Sequence, residues 1–183
     1  MEVHQLGDPA HVGAVSIHLD SVLPAQAVGE TVLRRRRMQC TMVPSEYVKE
    51  VWSQVEGYLQ GAADYTFGRY EVEDILDSIM EYDHTLWIAF DTSGIKGAVV
   101  TNFCHYPRKK YLSMVFCGGE ELDTWKPSML KLLQHFAYDN QCDGVEATAR
   151  LGWTKIFKDD GHKPLWQTFQ LPAAEAGLGA HHG

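Results

Sequence analysis

The chain has 183 residues, with 16 Lys and Arg against 24 Asp and Glu and a formal net charge of -8. That length supports one domain with a real core, and the negative charge argues against general nucleic-acid binding, because the phosphate backbone would be repelled. No apolar run reaches the length of a membrane span, and no basic start followed by an apolar block marks a secretory signal, so the expectation is a non-secreted protein.

Residues 1–41 differ from the rest. Glu2, Asp8, Asp20 and Glu30 balance the run Arg34, Arg35, Arg36 and Arg37, so the net negative charge falls in residues 42–183. With no aromatic residue and few large apolar ones, this stretch buries little alone and reads as a weakly structured or partner-bound arm. The arginine run is a solvated cluster, a clamp on an acidic partner, or a local nucleic-acid contact. Met42 stands just after the arm and offers an alternative start.

Pro44 and Ser45 open a helix whose Val48, Val51, Trp52, Val55, Tyr58 and Leu59 form one apolar stripe. A loop is expected from Gly61 to Gly68. A second helix follows over 70–82, with Val72, Ile75, Leu76, Ile79 and Met80 inward and its acids toward the N-terminal end of the dipole. The period then changes. Thr85 to Asp91 is nearly continuous in apolar residues, as a central strand is. Ile95 to Cys104 and Tyr111 to Cys117 are further strands, joined through the basic turn Tyr106-Pro107-Arg108-Lys109-Lys110. Turns this short imply an antiparallel meander. A third helix, with Pro127 expected in its first turn, presents Trp125, Met129, Leu132, Leu133, Phe136 and Ala137 inward. It crosses over to a strand at Val145 to Ala149, which favours parallel pairing there. A tight turn at Leu151-Gly152, a short helix carrying Trp153, Ile156 and Phe157, a stop at Gly161 and a last strand from Leu165 complete the domain; residues 172–183 read as a tail. The fold class is therefore α/β (α+β), a mixed central sheet with helices on both faces.

Cys40, Cys104, Cys117 and Cys142 are scattered without a CxxC pair and read as free thiols. The nine histidines do not cluster at ligand spacing, so no metal site is expected.

The order of elements over residues 42–171 resembles the GNAT fold of the N-acetyltransferases. A closer resemblance is to small phage-encoded GNAT-like proteins, some of them internal virion proteins of short-tailed phages. It is carried by Leu86-Trp87-Ile88-Ala89, Ala98-Val99-Val100-Thr101, Tyr106-Pro107-Arg108, Cys117-Gly118-Gly119, Trp125, and Ala149-Arg150-Leu151-Gly152-Trp153 followed by Gly161. The resemblance implies that acyl-CoA, if bound, sits where two parallel strands splay, with its pyrophosphate on a Gly-rich loop at a helix N-terminus. Here that loop is Gly118-Gly119 followed by Glu120, Glu121 and Asp123. The family's loop carries an Arg or Gln and two spaced glycines. Adjacent glycines, three carboxylates and no Arg or Lys before the helix depart from it, set like charge beside a pyrophosphate, and favour a plain strand-to-helix turn.

Glu146 is the best general-base candidate, and otherwise a solvent-facing strand residue or a partner of Arg150. Arg150 either binds a phosphate or pairs with a strand carboxylate, and Trp153 either lines a cleft or plugs the core. The short last helix lacks the Tyr that serves many members of the family as acid, Tyr138 lies on the preceding helix, and Cys117 reads as a structural thiol. On this pattern the first expectation is a non-catalytic virion component, internal or neck-proximal, in virion and host cytoplasm. It would dock on other virion proteins or copies of itself through Arg34–Arg37 and need no cofactor. The alternative is an acetyl-CoA-dependent N-acetyltransferase acting on an amine, with Gly118, Gly119 and Arg150 at the cofactor and Glu146 as base. A third reading is a host-directed binder whose acidic surface mimics nucleic acid.

Overall fold

The computed structural model describes residues 38–149, 152–157 and 163–165. Residues up to Thr148 and those from Ala149 onward form two units. The first holds a five-stranded sheet in sequential order: β1 (Gln39–Val43), β2 (Thr85–Asp91), β3 (Gly94–Tyr106), β4 (Lys109–Gly119) and β5 (Gly144–Ala147). The first three pairings are antiparallel and β4–β5 is parallel. The parallel pair is reached through α3 (Leu122–Asp139), as a crossover requires.

Helices α1 (Ser45–Ala63) and α2 (Val72–Met80) cover one face. Val48, Val51, Val55 and Leu59 of α1 and Ile75 and Ile79 of α2 pack on Leu86, Ile88 and Phe90 of β2, Ala98 and Val100 of β3 and Phe116 of β4. The alternate strand residues face α3. There the Trp87 ring meets Phe136 edge-on at 4.9 Å, and Phe103 stacks on the same ring at 6.0 Å. Trp87 also donates its indole N–H to Thr101 Oγ1 at 2.8 Å, so the large buried side chain leaves no orphaned donor. Burying each such side chain contributes about 1.5–3 kcal/mol.

Several sequence expectations shift. The expected arm runs to residue 41, but Gln39–Val43 form edge strand β1, paired from Gln39↔Phe90 to Val43↔Leu86. A chain starting at Met42 would lose Gln39, Cys40 and Thr41 of that strand. Helix α1 continues through Gly61 because Ala63 is buried at its end, and a 3-10 turn (Asp64–Thr66) follows in place of the expected loop. Helix α2 is shorter than the expected 70–82, opened by a capping box in which Glu71 N–H donates to Asp74 Oδ2 at 2.8 Å. Pro127 falls beyond the first turn of α3, since the helix begins at Leu122, and has no N–H to return to the Asp123 carbonyl. Leu130 joins the buried stripe of α3, whereas Leu132 and Phe136 are only half-buried.

In the second unit, Trp153–Phe157 form the expected short helix α4, with Trp153 and Ile156 half-buried. Arg34–Arg37, Arg150, Gly161, the final strand after Leu165 and the 172–183 tail lie outside the described residues. Among the described residues no helix is long and apolar enough to cross a membrane, and no group of His, Cys, Asp and Glu is placed to hold a metal.

Candidate functional site: a parting of two parallel strands

β4 is eleven residues long, but β5 pairs only with Tyr111–Met114, from Tyr111↔Gly144 to Met114↔Ala147. One weak contact extends the ladder, Thr148 N–H to the Met114 carbonyl at 3.4 Å. Beyond it β4 continues through Val115–Gly119 without β5. β5 itself ends at Ala147, and β4 carries an irregularity at the same level. Val100 pairs with Phe116 and Thr101 with Met114, which leaves Val115 as the extra residue of a bulge. A bulge bends its strand and sharpens the twist, and this one lies just past the last β4–β5 pair.

The bulge also marks a change in chemistry on the α1/α2 face. Before it, toward β2, that face is the apolar core. Past it, β3 presents Asn102, Cys104 and Tyr106, β4 presents Tyr111 and Ser113, and β5 presents Glu146, because directly paired residues share a face. Glu146 pairs with Ser113, one residue before the last pair, Met114↔Ala147. The Tyr106 hydroxyl donates to Glu146 Oε1 at 3.0 Å, and the Tyr106 ring meets Tyr111 edge-on at 6.0 Å. The Tyr106 phenol is held well above its ordinary range by hydrogen bonding with Cys104 first and with Glu146 second. It keeps its proton at neutral pH. The hairpin bearing Tyr106 is fixed to the start of β5 by Lys109 Nζ, 2.5 Å from Asp143 Oδ1, and by Lys110 N–H, 2.9 Å from Asp143 Oδ2.

The connection from α1 to α2 borders the same region. Tyr70 meets the Phe116 ring edge-on at 5.2 Å, next to the bulge. Tyr65, Phe67 and Tyr70 are exposed there, and Phe67 takes a left-handed conformation at φ 58°.

Gly118 and Gly119 are explained by close packing. A Cβ on Gly118 would lie 2.1 Å from the Tyr58 carbonyl oxygen of α1, and one on Gly119 would lie 2.5 Å from the Lys96 carbonyl oxygen, at φ +150°. The turn then enters α3 through Glu121 in a left-handed conformation at φ 51°. The Glu120 carbonyl accepts from Trp125 Nε1 at 2.8 Å, and the Glu121 carbonyl accepts from Thr124 N–H and Oγ1. Burial pushes the thiol of Cys117, on the β4 segment beyond β5, up to about 12, which suits a structural thiol. Tyr138 is exposed on α3 and lines a surface hollow of about 560 Å³ with Asp139, Gln141, Cys142 and Asp143. That hollow lies at the C-terminal end of α3, and neither Glu146 nor Tyr106 lines it.

Of the residues singled out in the sequence, the structure thus places Glu146 beside the parting and Gly118-Gly119 at its far end; Arg150 is outside the described residues. Sequence reasoning placed Tyr106 in a basic turn and among the segments carrying the resemblance, and gave it no role at the site. Its strand alternation with Cys104 and Asn102 was the available signal, but Glu146 is 40 residues away, and only the β3–β4–β5 register brings the two together.

No family model matches the chain, and no curated protein matches it in sequence. Solved structures do match in shape. An aminoglycoside N-acetyltransferase, AAC(6')-Iy in complex with CoA, aligns with a TM-score of 0.57 at 12% identity, over 78% of this chain and 99% of that one. A predicted acetyltransferase with acetyl-CoA from Clostridium acetobutylicum aligns at 0.54 and 12% identity, over 74% and 96%. A ribosomal-protein-alanine N-acetyltransferase from Brucella melitensis biovar Abortus 2308 aligns at 0.56 and 9% identity, over 75% and 100%. At such identities the likeness shows the fold alone, and that fold is GNAT-like. Nothing in these comparisons points to a phage or virion protein.

Proposed function

We propose that this protein is an acyl-CoA-dependent N-acyltransferase acting on an amine. The observation that carries the reading is the end of the β4–β5 ladder at Met114↔Ala147, with β4 running on and a hydrogen-bonded phenol and carboxylate, Tyr106 and Glu146, beside it. Two of the similar folds hold CoA or acetyl-CoA, which supports the same ligand here.

The residues present suit such a donor in outline. The segment Val115–Gly119 offers backbone donors and acceptors along a strand side that β5 leaves uncovered, which fits an extended amide-bearing chain. The N-terminus of α3 follows directly, where helix N–H groups favour an anion. The bound donor supplies an acyl group activated as a thioester. The rest falls to this chain. Glu146 Oε1 or Oε2 takes the proton from the acceptor's ammonium, leaving a nucleophilic amine. Tyr106 Oη, protonated at neutral pH, orients that carboxylate, and the proton Glu146 takes from the amine is the one available to the departing thiolate. Ser113, a buried polar residue of β4, pairs directly with Glu146.

The non-catalytic virion reading draws its docking arm from Arg34–Arg37, outside the described residues, and nothing in the described residues supports it. The test is turnover of acetyl-CoA with a panel of amines. Glu146→Gln should lower kcat by about 10²-fold or more, the usual worth of a positioned base, with acetyl-CoA affinity retained. Unchanged kcat in Glu146→Gln would remove the assignment.

A further inference from the structure

The anionic end of an acyl-CoA needs positive charge, yet the entry to α3 presents Glu120, Glu121 and Asp123. The cation that meets these carboxylates comes from another strand. In the β2–β3 ladder Ala89 pairs with Gly97 and Phe90 with Ile95, so Lys96 is the extra residue of a second bulge. Bulges re-aim side chains, and this one brings Lys96 Nζ to 2.7 Å from Glu120 Oε1 and 4.0 Å from Glu121 Oε1.

The backbone makes the approach reciprocal, because Glu120 N–H donates to the Lys96 carbonyl at 2.8 Å. The two side chains are not equally committed. That of Lys96 is 14% exposed and that of Glu120 is 53% exposed. The Lys96 stem is therefore packed in place, while the carboxylate has water to turn into. The other titratable groups that bear on Lys96 are Glu121, Asp91 and, from α1, Tyr58. The Tyr58 phenol is pushed up by burial first and then by Glu120, with Lys96 opposing.

We propose that Lys96 is the phosphate-binding cation of this site and that Glu120 is its built-in competitor, displaced when the pyrophosphate of an acyl-CoA arrives. The proposal rests on the transferase reading above. The exchange keeps the ammonium paired throughout. It also returns Glu120 to solvent, where it already half resides. The loop then needs no Arg or Lys of its own, and its acidity weakens donor binding without abolishing it.

The test is calorimetric titration of the full chain with acetyl-CoA and, separately, with S-acetyl-pantetheine, which has no pyrophosphate. Glu120→Gln should bind acetyl-CoA about fivefold tighter than wild type, and Lys96→Met about fivefold weaker, as expected for one solvent-screened charge at contact distance in water. Affinity for S-acetyl-pantetheine should not change. Binding of acetyl-CoA by Glu120→Gln alone would support the competitor outright. Equal affinity of all three proteins for acetyl-CoA would overturn the proposal and leave the transferase reading standing. So would a Glu120→Gln effect that is the same for both ligands. No heat from wild type or from Glu120→Gln would overturn both.

Discussion

Replacing Gly118 with Ala tests whether this glycine is fixed by packing. The added Cβ would lie 2.1 Å from the Tyr58 carbonyl oxygen and 2.7 Å from its carbonyl carbon. Carbon–oxygen contacts sit near 3.3 Å, so β4 and α1 must part by about 1 Å. The obstacle is helix backbone, and the adjoining face of α1 carries Val51, Val55 and Leu59 in the core. Overpacking costs about 1–3 kcal/mol, and a rigid backbone obstacle places this case near the upper end. At about 2–4 °C per kcal/mol for a chain of this size, Tm should fall by roughly 6–12 °C. Gly57→Ala is the matched control. Gly57 is exposed in mid-α1, and a Cβ added there would meet nothing within 4 Å. Ala at this position should stabilise the helix by about 0.5–1 kcal/mol and raise Tm slightly. Scanning calorimetry of both variants reads the two signs together. An unchanged Tm for Gly118→Ala, with acetyl-CoA affinity lost, would refute the packing account and assign the glycine to the ligand.

Thr101→Val should cost about 1–3 kcal/mol, because it leaves the buried Trp87 indole N–H without its acceptor; equal denaturation midpoints would refute this. His84 gives a pH dependence: its Nδ1 is buried with no partner among the described residues, and burial lowers its pKa against the opposing pull of Asp83. The folded chain therefore resists protonation more than the unfolded one, so this contribution is whole above about pH 6.5 and is lost as pH falls from there through the folded value. Tm against pH should show that loss in wild type and less of it in His84→Gln, whereas parallel curves would remove His84 as its source.

Much of the fold was legible because local pattern and tertiary role coincide. The unbroken apolar run of β2 reads as central and is central, and the stripe of α1 is its buried face. What sequence reading missed is set by distant partners. Gln39–Val43 has no alternation of its own and is a strand because β2 offers it an edge. Gly61 reads as a stop, yet burial of Ala63 carries the helix past it. The site divides in the same way. Glu146 was visible as a carboxylate on a strand, but its tyrosine partner and the bulge at Val115 depend on register across β3, β4 and β5. The acidity of the α3 entry was plain in the sequence, whereas its neutralisation by Lys96 follows from a bulge on β3 that no local pattern announced.

The most direct measurement is the map of backbone amide shifts on titrating the labelled protein with acetyl-CoA. The account predicts saturable changes concentrated in Val115–Gly119, the first turn of α3 and Ala147–Thr148, the residues around the parting of β4 and β5. No saturable change, or changes confined to another surface such as the hollow at Tyr138 and Asp143, would contradict it.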